Sequence, residues 1–154
     1  MAHALNLTLK IRQDASAKAT LAKIKASFAA EIQNKIDEAL KESELVHFAR
    51  VLVIDDLYLQ VITEYDGDHQ AYTDFFRKKL PDVFALLFSL AEKPIDPAAL
   101  ADSDKFFQFS AGLQVKALGE DPGGARDSNG QTAGYLFSAY GAREVKEIKA
   151  ALSS

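Results

Sequence analysis

His47 and Glu64 are the two side chains whose types and spacing offer chemistry first. They sit on two apolar runs, 46–54 and 57–65, separated by Asp55-Asp56. If those two aspartates form the turn of a hairpin, the ladder sets His47 opposite Glu64, where a carboxylate can orient an imidazole. Such a pair suits a general base or a haem-iron ligand, and equally an ordinary polar contact at a sheet margin. The same register places Tyr58 and Gln60 beside them, with Asn6, Thr8 and Lys10 of an earlier strand extending the face. Tyr140, from a late aromatic stretch, joins Tyr58 and Gln60 as a candidate ligand-lining residue. Arg50 falls on the opposite, helix-covered face, as a structural ion pair or a snorkelling side chain.

Other clusters are weaker. "TEYDGDHQ" gathers Glu64, Asp66, Asp68 and His69, a set able to hold a hard cation, but aspartates before a helix more often cap it. "ARDSNGQ" has Ala125 where a calcium loop needs its first ligand, and "DPGG" lacks the ending of a phosphate loop, so both read as turns. No metal site is expected. Seven of the ten phenylalanines lie between Phe75 and Phe109, either as core or as the floor of an apolar pocket.

The elements that must position these residues follow from periodicity. Leu5, Leu7, Leu9 and Ile11 alternate with polar residues as a strand does. From Ser16 to about Lys41 the apolar residues recur every three or four positions, as on one long helix capped by Asp14 or Ser16. After the hairpin come a helix to about Leu80, a second opened by Pro81, a short one after Asp96-Pro97, and an ambiguous stretch read as helix to about Ala111. The 118–133 region is turn-forming. "YLFSAYG" reads as a last strand and "AREVKEIKAALSS" as a closing helix. The order β-α-β-β-α-insert-β-α predicts an α+β fold: a ferredoxin-like, four-stranded antiparallel sheet with helices on one face. It forms a single domain over 1–154 with a variable insert at about 94–133.

Composition bounds the rest. A chain of 154 residues with net charge −4 gives no basic footprint for nucleic acid. The absence of cysteine excludes disulfides, thiolate nucleophiles and cysteine-ligated clusters. With no apolar leader and no run near the roughly 20 residues a membrane span needs, a cytoplasmic protein without membrane contact is expected.

The segments "HFARVLVIDD", "EYDGDHQAYTDFF" and "GYLFSAYGAREVKEI" together resemble uncharacterised bacterial proteins of the dimeric α/β-barrel superfamily, over about 110 residues outside much of 94–133. Relatives include antibiotic-biosynthesis monooxygenases and dye-decolourising peroxidases. The resemblance implies a homodimer enclosing a cavity between sheet faces, with a small hydrophobic ligand. It carries over no catalytic residue, and the peroxidases' Gly-x-x-Asp-Gly signature is absent from "YDGD". The expectation is a small-molecule-binding protein, as an oxidoreductase on a hydrophobic or aromatic compound. His47 would then be acid/base and Glu64 its orienting partner, with no cofactor or, alternatively, haem on His47. The competing expectation is a non-catalytic dimeric interaction or accessory module.

Overall fold

The computed structural model describes residues 2–120 and 134–154. Strand β1 (Ala2–Lys10) alternates as expected and leads to helix α1 (Ala15–Ser27), whose cap is Asp14 accepting from the Ala17 N–H at 2.8 Å. The helix continues through one π-helical turn, Phe28–Ile32, into α2 (Gln33–Ser43). That wider turn rotates the apolar stripe so that Leu21 and Ile24 before it and Ile32 and Ala39 after it all reach the core. Glu44, in the left-handed region at φ 51°, closes α2 and turns the chain into β2 (Val46–Ile54).

Strand β3 (Tyr58–Asp66) runs antiparallel to both β2 and β1 and lies between them, giving the order β1-β3-β2. Gly67, at φ 85°, and Asp68, which accepts from the Ala71 N–H at 2.8 Å, then start α3 (His69–Lys79). Helix α4 (Pro81–Phe88) carries its proline in the first turn, Asp96 caps α5 (Pro97–Leu100), and α6 (Ser103–Gly112) takes up the ambiguous phenylalanine stretch. Helix α7 (Val145–Leu152) closes the chain.

The core lies between the helices and one sheet face, made of Leu5, Leu7 and Leu9 with Leu59, Val61 and Tyr65. Phe88 and Phe106 are fully buried in it, and Phe84 meets Phe106 edge-on at 5.3 Å. The phenylalanines are therefore chiefly core: Phe76, Phe88 and Phe106 are buried, each worth roughly 1.5–3 kcal/mol, and Phe75, Phe84 and Phe109 pack part-buried against them.

Two expectations are overturned. The sheet has three strands among the described residues, so neither the ferredoxin-like four-stranded sheet nor the dimeric α/β barrel built from it is formed. "YLFSAYG" is irregular chain with a turn. Tyr135 is 43% exposed and Phe137 86%, so alternate residues find no sheet to pack on. Along the outer side of β1 the described residues form isolated bridges in place of a strand, Gln114 to Leu7 and, just past the end of β1, Ala91 to Ile11.

The hairpin register also differs from the expected one. Asp55 and Asp56 both adopt positive φ, but Leu57 belongs to the turn, and Ile54 pairs with Tyr58 instead of Leu57. The one-residue slip turns β2 over. Val51 and Val53 face the helices, while Phe48, Arg50, Leu52 and Ile54 join Tyr58, Gln60, Ile62 and Glu64 on the open face. Arg50 is thus on the open side, and Glu64 pairs with Phe48, not His47. The turn-forming 118–133 stretch lies outside the described residues from 121 onward, and the rejected calcium-loop and phosphate-loop segments with it.

Candidate functional site

The irregularity that rescues His47 is a β-bulge. Val46 pairs with Tyr65 and Phe48 with Glu64, leaving His47 as the extra residue with no partner position on β3. A bulge re-aims its side chain. The imidazole meets the last residue of β3, with His47 Nε2 at 2.9 Å from Asp66 Oδ1, and both side chains are only 4% exposed. The second Asp66 oxygen, Oδ2, accepts the backbone N–H of Val145 at 2.8 Å, the first residue of α7. On the other side of the ring the Tyr140 hydroxyl lies 3.2 Å from His47 Nδ1, with the two rings stacked at 6.0 Å.

The protonation pattern follows from these partners. An ionised carboxylate only accepts, so Nε2 carries the hydrogen and donates to Asp66. Nδ1 then presents its lone pair, and the Tyr140 hydroxyl donates to it. The result is a line, Asp66–His47–Tyr140, with its buried end anchored at α7 and its outer end half exposed.

Tyr140 and His47 open on a cleft of about 370 Å³ between β2 and α7, lined also by Val46, Phe48, Val145, Ile148 and Lys149. Its walls are mainly apolar. The one cation, Lys149, is engaged with Glu44 Oε1 at 3.2 Å. An oriented imidazole beside a hydroxyl at the mouth of an apolar cleft can take a proton from a bound molecule or return one.

Of the residues expected from the sequence, the structure brings His47 and Tyr140 together. Glu64 stands next to them on the open face, half-buried. Burial raises its carboxyl above the usual range, while Arg50 and His47 pull it back. Gln60 bonds Thr8 Oγ1 at 3.0 Å and Tyr58 pairs with Ile54 and Lys10, at the far end of β3. At about 3.3 Å per residue, Tyr58 is roughly 20 Å along the strand from Glu64, so neither lines the cleft. Asp66 is the partner of His47 that sequence reasoning missed. Its signal was present in "YDGD", where only Asp68 is needed as the helix cap. Among the described residues no three acidic or histidine side chains could hold a metal ion.

Haem does not fit His47 as placed. One ring nitrogen is spent on a buried carboxylate and the other faces the Tyr140 hydroxyl, so neither is presented to an iron. No helix among the described residues is long and apolar enough to cross a membrane. No protein-family model, curated protein or solved structure matches the chain.

Proposed function

We propose that the protein binds a small, largely apolar molecule between β2 and α7 and exchanges a proton with it through Tyr140 and His47. The observation that carries this reading is the hydrogen-bonded line from buried Asp66 through His47 to Tyr140, ending at an apolar cleft. Asp66 holds the imidazole in one tautomer and stabilises the imidazolium that forms when Nδ1 accepts a proton. Phe48 and Ile148 supply flat and branched apolar walls, suiting an aromatic or short aliphatic compound with one acidic hydroxyl or carbon next to a carbonyl. Proton removal from such a compound opens an isomerisation and, where dissolved dioxygen takes electrons from the resulting anion, a cofactor-free oxidation, which is where an oxidoreductase activity would enter. The setting proposed is the cytoplasm.

A second reading is favoured by a different observation. Phe48 is 65% exposed and Ile54 41%, on an open sheet face shared with Leu52 and Ile62. A homodimer packed on that face would act as a non-catalytic module, and the apolar area is its support.

A panel of phenols and aromatic ketones, screened by ligand-observed NMR and then for turnover, separates the two. On the first reading His47→Ala and Tyr140→Phe lose about 10²–10⁴-fold in turnover on any hit. Hits whose binding and conversion are indifferent to both changes would remove the relay from the account, and a panel that is neither bound nor converted would leave the module.

A further inference from the structure

Helix α7 has no buried residue. It is held against the body by polar contacts from its first and fifth residues. Val145 N–H reaches Asp66 Oδ2 at 2.8 Å, and Lys149 Nζ reaches Glu44 Oε1 at 3.2 Å and the Lys41 carbonyl at 3.5 Å. The cleft lies between the helix and β2 at these residues, with Val145 and Ile148 on one wall and Val46 and Phe48 on the other. The chain just before α7 contributes Tyr140. The C-terminal segment therefore provides one wall, the outer hydroxyl of the relay and the donor on its buried carboxylate.

We propose that the backbone N–H of Val145 is the positioning group of the site. Docking of α7 and assembly of the Asp66–His47–Tyr140 line are then one event. The inference rests on the functional reading above for its significance, but not for its test.

The physical argument concerns how Asp66 is oriented. A carboxylate with one oxygen bonded can still swing about its last side-chain torsion; a donor on each oxygen fixes its plane. Asp66 has His47 on Oδ1 and Val145 on Oδ2, so removing the second donor frees the plane against which the imidazole is set. When α7 undocks, Tyr140 leaves with it, and the imidazole loses what holds its tautomer on both sides. A ligand that bridges the two apolar walls then tightens α7 and orders the relay at once. Occupancy and reactivity are coupled.

The backbone allows an unusually selective test. Val145 is the first residue of α7, where proline is well tolerated because that N–H takes no part in the helix's own ladder. Glu144 before it has φ −82° and ψ 157°, the extended conformation that a following proline requires. Its own N–H is bonded by Glu147 Oε2 at 3.0 Å, which keeps the helix start closed. Val145→Pro therefore deletes one hydrogen on Asp66 without removing any of the helix's own hydrogen bonds, while Val145→Ala shortens the side chain and keeps the N–H.

The experiment is made on the full-length, ¹⁵N-labelled chain without ligand, reading the two ring-nitrogen shifts of His47 and amide hydrogen exchange along the chain. Wild type and Val145→Ala are expected to show one tautomer, protonated at Nε2, with slow exchange in the interior of α7. Val145→Pro is expected to show averaged ring-nitrogen shifts and at least tenfold faster exchange in α7, with β1 and β3 unchanged. Three results would overturn the proposal. Val145→Pro could behave as wild type, Val145→Ala could lose the tautomer equally, or β1 and β3 could loosen as much as α7. Failure of the functional reading shows itself elsewhere, in the ligand and turnover assays.

Discussion

Two histidines flank the end of β3, and each meets a tyrosine hydroxyl at its Nδ1. For His47 the partner is Tyr140 at 3.2 Å, and for His69 it is Tyr65 at 2.6 Å. The difference lies in what surrounds them. His69 is 5% exposed, with Phe107 edge-on to its ring at 5.2 Å. Tyr65 is stacked on Tyr72 at 4.3 Å, and Tyr72 in turn bonds Thr63 at 2.8 Å. Burial, reinforced by Tyr72 and Asp68, pushes the Tyr65 hydroxyl far above its ordinary range, so it stays neutral at any physiological pH. His47 has a carboxylate behind it and a cleft in front, and its tyrosine is half exposed. The same pair of residue types thus reads as framework where sealed and as a candidate site where a charge partner and an opening coincide.

That contrast breaks most easily at Tyr65. Tyr65→Ala removes a side chain that is 2% exposed and stacked on Tyr72, and should cost about 3–5 kcal/mol in urea unfolding. Tyr65→Phe keeps the ring and takes the hydroxyl from His69, with an expected loss of about 1–3 kcal/mol. A loss below about 0.5 kcal/mol for the phenylalanine variant would mean the sealed pair is not structural after all.

The matching change at the other histidine is Tyr140→Phe. A half-exposed hydroxyl contributes little to the fold, so stability should stay within about 0.5 kcal/mol of wild type. The ring nitrogens of His47 should shift in the NMR spectrum while those of His69 do not. Equal stability losses for Tyr65→Phe and Tyr140→Phe would erase the distinction between the two regions.

Much of this arrangement was legible in the sequence, and the parts that were not have particular causes. The helices were readable because Asp14, Asp68, Pro81 and Asp96 mark their starts in the chain itself. Strand β3 was assigned its faces correctly, since Leu59 and Thr63 are buried while Tyr58 and Gln60 are not. Strand β2 was not, because Phe48, Leu52 and Ile54 on one face are as apolar as Ala49, Val51 and Val53 on the other. Hydrophobicity could not choose between registers one residue apart. His47 was found for a reason that proved wrong: its predicted partner Glu64 pairs with Phe48, and a bulge delivers the ring to Asp66. A bulge depends on how two strands and a distant helix meet, and no local pattern announces it. The missing fourth strand has a similar cause. "YLFSAYG" alternates convincingly, but Gly134 at φ 94° and Gly141 at φ 70° mark its ends, and it packs on no sheet.

The smallest effects are carried by pH, and two carboxylates should bend the stability curve in opposite senses. Asp74, on α3, is held by Lys78 and Arg77 at about 2, below its ordinary 3.8. A lowered folded value stabilises above pH 3.8, and that contribution is lost as pH falls toward 2. Asp74→Asn should flatten the acid limb of a melting-temperature profile over that window, and an unchanged limb would show the ion pairs to be inert.

Glu64 works the other way. Burial raises its folded value above the ordinary 4.5 despite Arg50 and His47 nearby. The native state therefore holds the proton more tightly than the unfolded chain. Its contribution is present below pH 4.5 and lost as pH rises through the raised value, so at neutral pH the ionised carboxylate is a net cost. Glu64→Gln should raise the melting temperature at pH 7 relative to wild type, with the gain vanishing by pH 4. Asp74→Asn should show no gain at pH 7. If Glu64→Gln is destabilising at pH 7, the carboxylate is favourably engaged with Arg50 or His47. Glu64 would then join Asp66 as a second acidic partner of the site rather than a neighbour to it.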